Sequence, residues 1–245
     1  MVTKRYNEKH RVVFYETDVT KNINIGMLVD LMMLASENQS EQLGIGTDKV
    51  NGLGYGWVIT QHVLEIERLP KINEEVKIWT EADSYNKYFC YREFGIDDMD
   101  DNPLVRMHTI FVLMDFKNRK ISQIVPELTI PFGATETPKV KRYKNVKKIK
   151  EIDNHKKYQV RFMDIDSNHH VNNVHYFDWM LDTLDYDFLS KHTLKKINIQ
   201  YKQEVTYGDI VTSNVQTINS NDTITTLHAV KNNDKVSCLA ECEWI

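Results

Sequence analysis

Between Asp164 and Leu184 the sequence reads DIDSNHHVNNVHYFDWMLDTL, and its opening positions crowd together Asp164, Asp166, Ser167, Asn168, His169 and His170. A carboxylate, an amide and an imidazole in one place can activate water and steady a developing negative charge. From Val174 the apolar residues fall at Val174, Phe177, Met180, Leu181 and Leu184, the spacing of one buried helix face. Asn172 and Asn173 stand where helix N-caps belong. The pattern predicts a helix over Asn173–Leu189 with a polar cluster at its partly positive end. Asx-rich turns use the same residue types, so this stretch alone leaves open a plain turn that only starts the helix.

The elements that must position this cluster occur twice. Asp18, Asn22 and Asn24 lie over Asp164, Asn168 and His170 at a constant offset of 146 residues, and each stretch runs into an amphipathic helix, the first over Met27–Gln42. A strand precedes each stretch, Lys4–Tyr15 and Lys157–Phe162. A β-rich run follows each helix: Trp57–Arg68, Glu75–Ala82, Tyr88–Ile96, Leu104–Phe116 and a short Lys120–Val125 in the first half. The second half has Leu194–Val205, Asp209–Ile218, Thr223–Lys231 and Val236–Trp244, with turns at Asn219–Asp222 and Asn232–Asp234. A helix with one apolar face beside an antiparallel sheet long enough to curl around it is the layout of a hotdog. The expected fold is therefore α+β: a tandem (double) hotdog, two long central helices on a curved antiparallel sheet.

Between the copies, Pro126–Asn154 shows no period, and Lys139–Lys157 holds nine Lys or Arg against Glu151 and Asp153. It is read as a basic linker crossing the surface of both halves, its charge free either to dock a partner or to be merely solvated. The domain reading is 1–125, an N-terminal hotdog; 126–154, the linker; and 155–245, a C-terminal hotdog.

Composition narrows the class. With 41% hydrophobic and 27% charged residues the chain can bury a sizeable core. No apolar run approaches the roughly 20 residues that span a bilayer. The N-terminal MVTKRYNEKHRVV lacks an apolar signal core, so the cytoplasm is the expected compartment. A net charge of −4 gives no global reason to expect nucleic acid. Cys90, Cys238 and Cys242 form no C-x-x-C pair, which suits a reducing compartment. A metal site at His169, His170 and His175 fails on direction and interval. Neither a metal nor another cofactor is expected.

The stretch Asp164-Ile-Asp166-Ser-Asn168-His-His170-Val-Asn172-Asn173-Val-His-Tyr176 resembles the D-x-N-x-H-V-N-N-x-x-Y signature of the acyl-acyl-carrier-protein thioesterases, plant and bacterial. Tyr201-Lys-Gln-Glu204 is similar to that family's Y-x-x-E, and the resemblance runs along almost the whole chain. It implies hydrolysis of the thioester of a fatty acyl chain on its carrier protein, ending fatty-acid synthesis. Carried over by position, the reactive group falls on Asp166, Asn168, His170 and Glu204. Plant members often have a cysteine directly after the glutamate; Val205 stands there, which excludes a papain-like mechanism at that position.

Within this reading Glu204 is the expected base for water, with His170 in the same network and Asn168 donating to the carbonyl or fixing a carboxylate. Asp166 attacking the thioester directly stays open. At the 146 offset Thr20 replaces Asp166 and Asn24 replaces His170, and a gapped alignment of the strands puts about Leu69 opposite Glu204, so the first half keeps the frame without the titratable groups. The acyl chain is accordingly expected in the first hotdog, against Met27, Leu28, Leu31, Met32, Trp57 and Ile59, where lipid desolvates no charge. The implied partner is an acyl carrier protein, with neither nucleic acid nor membrane insertion, and a homodimer is left open. The alternatives are an acyl-CoA thioesterase and an acyl-binding hotdog without turnover.

Overall fold

Helix α1, Ile25–Gln42, begins where the Asn24 side chain accepts from the Met27 N–H at 2.8 Å, and it buries Leu28, Val29, Leu31, Met32 and Ala35. The computed structural model describes residues 4–220 and 223–245, so Asn221 and Asp222 of the expected turn lie outside the described residues. In chain order the elements after β1 (Tyr6–Arg11) and α1 are α2 (Thr47–Gly52), β2 (Tyr55–Ile66), β3 (Glu75–Tyr85), β4 (Phe89–Asp97) and β5 (Pro103–Asp115). Next come β6 (Lys120–Ser122), β7 (Thr135–Glu136), β8 (Asn154–Gln159), α3 (His175–Leu181) and α4 (Tyr186–Lys191). The chain closes with β9 (Leu194–Tyr201), β10 (Ile210–Asn219), β11 (Ile224–Asn232) and β12 (Lys235–Trp244).

The strands form one sheet in the order β1-β3-β4-β5-β2-β9-β12-β11-β10-β8, with β6 on β5 and β7 on β3. Each half contributes five strands in mirrored order, and β2 meets β9 antiparallel from Gln61↔Gln200 to Glu65↔Lys196. Leu64, Phe94, Ile197 and Ala240 face the helices within one continuous core. A smaller cluster of Ile45, Val50, Ala82, Leu113, Leu128 and Phe132 closes the far end of the first half. This is the tandem hotdog expected, with three corrections. The helix predicted over Asn173–Leu189 is broken, so the second half lacks a long central helix. Thr183 turns its hydroxyl back onto the Met180 carbonyl at 2.6 Å, and Asp185 caps a new helix through the Phe188 N–H at 2.6 Å. Both residues bond local backbone better than they continue a helix. The N-cap of α3 is Val174, not Asn172 or Asn173. The expected strand Leu194–Val205 ends at Tyr201, which leaves Glu204 in a loop.

The linker is also more ordered than its sequence suggests. It carries 3-10 turns at Pro126–Leu128 and Ile130–Phe132, and Leu128, Phe132 and Val146 are buried. It then crosses the outer face of the sheet strand by strand. The Lys141 N–H donates to Tyr91 Oη (3.0 Å), Asn198 Nδ2 donates to the Lys144 carbonyl (2.7 Å), and the Lys150 N–H donates to Gln216 Oε1 (2.9 Å). Between these points Lys144 and Lys147 reach the buried carboxylate of Glu241 at 3.5 and 3.2 Å. Burial alone would raise that carboxyl. The Lys147 bonds and the charges of both lysines outweigh burial and hold it below the usual range. Its contribution to stability is thus present above the unfolded pKa and lost as pH falls through the folded one. Glu241→Gln should lower unfolding free energy by about 1 kcal/mol at pH 7, since it removes the charge that the two largely exposed lysines meet. In urea titrations the gap between the two proteins should close below about pH 4.

Candidate active site

The loop before α3 is a tight hairpin built on its own polar residues. The Asp166 N–H donates to the His170 carbonyl at 2.8 Å, the His169 N–H to the Asp166 carbonyl at 3.0 Å, and Ile165 bridges Val171. His169 sits at φ +64°, in the left-handed region. The Asp166 carboxylate accepts from the Asn168 N–H at 2.8 Å and more loosely from that of His170 at 3.4 Å. Beneath it Asp164 is buried, accepting from the Arg161 N–H (2.8 Å) and guanidinium (2.7 Å). Burial raises the Asp164 carboxyl, and Arg161 more than reverses this. Asp164 braces the turn.

Glu204 comes to this loop from the segment between β9 and β10. The Val171 N–H donates to the Val205 carbonyl at 2.9 Å, and Val205 is fully buried, so the loop is pinned with its glutamate facing out. His170 Nε2 then lies 3.0 Å from Glu204 Oε2. The same oxygen accepts from Arg119 Nη2 at 2.9 Å. Of the four residues carried over by motif, the geometry joins His170 to Glu204 and Asp166 to Asn168. The Asn168 amide is exposed and tied only by a 3.5 Å contact to Asp166. Arg119 was invisible to the sequence reading: it lies 85 residues from Glu204 in a surface turn of the first half, and only strand pairing brings it near.

The structure shifts the internal alignment by two residues. The first-half bonds Asp18 N–H to Asn22 O (3.0 Å), Asn24 N–H to Glu16 O (2.9 Å) and Ile23 N–H to Pro70 O (2.9 Å) repeat Asp166 to His170, Asn172 to Asp164 and Val171 to Val205. Lys21, at φ +66°, repeats His169. The true offset is thus 148 in this loop: Asp18 matches Asp166, Thr20 matches Asn168, Asn22 matches His170, and Leu69 stands opposite Glu204. The expectation that the first half lacks an acid here is corrected. Asp18 accepts from the Thr20 N–H at 2.8 Å, doing for its loop what Asp166 does for the other. Bracing this turn is a job that Asp does in both halves.

The six expected wall residues do not share one lining. Leu28, Leu31 and Met32 lie in the main core with Met27 packed against it, whereas Trp57 packs into the smaller cluster and stands edge-on to Phe111. Ile59 is half-buried. Cys238 and Cys242 fill the core. Burial pushes the Cys90 and Cys242 thiols up to about 12 and raises Cys238 further from thiolate chemistry.

Comparison with known proteins matches both halves. Residues 3–132 fit the acyl-ACP thioesterase N-terminal domain and residues 147–245 the C-terminal domain. Among curated relatives, the chloroplastic oleoyl-acyl carrier protein thioesterase of Coriandrum sativum is 26% identical over 226 residues, covering 85% of this chain and 61% of the relative. Oleoyl-acyl carrier protein thioesterase 2 of Arabidopsis thaliana is 25% identical, covering 91% of this chain and 65% of its own length. The chain therefore spans less than two thirds of these relatives. A crystal structure from Lactobacillus plantarum, assigned as an oleoyl thioesterase, superposes with a TM-score of 0.96 at 39% identity over 99% of this chain and 96% of its own. The 12:0-ACP thioesterase of Umbellularia californica shares the fold, with a TM-score of 0.88 at 20% identity over 98% and 94%. With a domain model matched in each half and the motif loop paired to its glutamate, this chain belongs to the acyl-ACP thioesterase family.

Proposed function

We propose that the protein hydrolyses the thioester of a fatty acyl chain carried on acyl carrier protein, releasing the free acid. The observation that carries this is the contact of His170 with Glu204 inside a loop whose sequence is the family's signature. Glu204 takes a proton from water as the water oxygen bonds to the thioester carbon, and the carbonyl pair moves onto oxygen. The exposed Asn168 amide is the group free to donate to that oxyanion. When the carbonyl re-forms, the carbon–sulfur bond breaks and the departing sulfur takes the proton, passed from Glu204 and His170. Direct attack by Asp166 is disfavoured on geometry, because its carboxylate already accepts from the turn it braces. The acyl chain runs into the first hotdog beneath α1, with Leu31 on its wall. Arg142, Lys148 and Lys150 of the linker, exposed and without an ion pair among the described residues, meet the acidic carrier. Three cysteines, none in a disulfide, suit a cytoplasmic site of action, and no helix among the described residues is long and apolar enough to cross a membrane.

Glu204→Gln should lower kcat at least ~100-fold in a thiol-release assay on acyl-ACP while leaving the melting curve unchanged, the size expected for a lost general base. Asp18→Asn and Asp166→Asn should cost similar stability, and only the second should lower kcat, because the turn it braces carries Asn168 and His170. If both leave kcat alike, Asp166 serves the turn and nothing more.

Leu31→Phe should move the product distribution toward shorter chains, a few-fold per carbon pair, since a methylene in an apolar pocket is worth about 1 kcal/mol. Chromatography of released acids from Leu31→Phe and Phe177→Ala side by side decides the route. A shift confined to Phe177→Ala would put the chain in the second half.

Raising salt should raise KM for the ACP thioester far more than for the CoA thioester, because screening weakens exposed pairs. Reversing the charge of Arg142, Lys148 and Lys150 together should mimic high salt. Equal sensitivity of both substrates would return the linker to a purely connecting role and favour an acyl-CoA thioesterase.

A further inference from the structure

Two chain segments that are far apart in sequence converge on one oxygen of Glu204. His170 Nε2 approaches Oε2 at 3.0 Å and Arg119 Nη2 donates to the same atom at 2.9 Å, while Oε1 has no hydrogen-bond partner among the described residues. A carboxylate held by one oxygen presents the other in a fixed direction. Oε1 is therefore the oxygen left to receive the proton of water.

Arg119 is delivered by rigid parts. It sits in the turn joining β5 to β6, where Asp115 accepts from the Asn118 N–H at 2.9 Å and from its amide at 2.8 Å. The β5–β6 ladder closes the turn from Leu113↔Ser122 to Asp115↔Lys120. Arg119 adopts φ +49°, a left-handed conformation that disfavours a non-glycine residue. From β5 the ladder continues through β2 to β9, whose last residue, Tyr201, stands three positions before Glu204. The arm and its target thus share one continuous sheet.

Stability gives no account of this contact. Arg119 is 74% and Glu204 43% exposed, and an open pair of that kind contributes little to stability. Orientation does give one. We propose that Arg119 is a positioning residue of the hydrolytic site: the first half supplies the arm that sets the Glu204 carboxylate against water, so the second half alone is catalytically incomplete. This rests on the thioester-hydrolysis reading above.

The test compares wild type, Arg119→Ala and Arg119→Lys in the intact chain, on one acyl group carried by ACP and by CoA. Arg119→Ala should lower kcat about 10- to 100-fold on both thioesters, the range for a misplaced reacting group, with KM within about twofold. Its melting temperature should stay within about 2 °C of wild type. Arg119→Lys should regain part of kcat, since a lysine restores the charge without the planar fork. An unchanged kcat beside an active wild type overturns this proposal alone. So does a defect confined to KM for the ACP substrate, which would make Arg119 a docking residue. A wild type without turnover on any thioester overturns both this and the function it rests on.

Discussion

Everything in this molecule hangs on the antiparallel ladder between β2 and β9. Among the described residues it is the only place where the two five-strand halves exchange backbone hydrogen bonds along a sheet, and it sits at the centre of the strand order. It merges two cores into one and fixes how far the turns of one half reach over the loops of the other. The Lys144 carbonyl, accepting from Gln61 of β2 and Asn198 of β9, clasps the same joint from outside. Once that register is set, the placement of the His170 loop, the Glu204 loop and the Arg119 turn follows from pairing already made.

The site shows how a duplicated frame can separate holding from reacting. In both halves a buried acid, Glu16 or Asp164, accepts from the backbone three residues earlier, and an aspartate braces the hairpin above it. What differs is what the frame presents. The second copy offers His170 and Glu204 at one point, whereas the first offers Asn22 and Leu69. The conserved geometry is a property of the turn, and the chemistry is added at two positions.

Much of this was readable in the sequence, because the cues were local and periodic. The strand runs, α1 and the motif loop announce themselves through spacing of two, through 3.6-residue faces and through Asx residues. The helix break was missed because Leu181 and Leu184 keep the apolar period going while Thr183 and Asp185 end the helix by side-chain bonds. The alignment slipped by two residues because asparagines at 22 and 24 offer two registers, and only the backbone bonds choose between them. The linker lysines read as free charge, yet Lys144 and Lys147 neutralise Glu241, which lies nearly a hundred residues away in the chain. Arg119 carries no local mark at all.

The two strands that end the sheet have a bearing on assembly. β1 reads YNEKHR and β8 reads NHKKYQ: six residues each, charged or polar at nearly every position. Short, charged borders of this kind resist the addition of a further strand, because a newcomer would have to strip water from lysines and a glutamate to reach the open backbone groups. The inner edges, β2 and β9, are closed against each other. The sheet grows inward from its borders and stops there. Strand exchange between neighbouring molecules, the common route from a β-rich fold to an open-ended polymer, is obstructed at both ends.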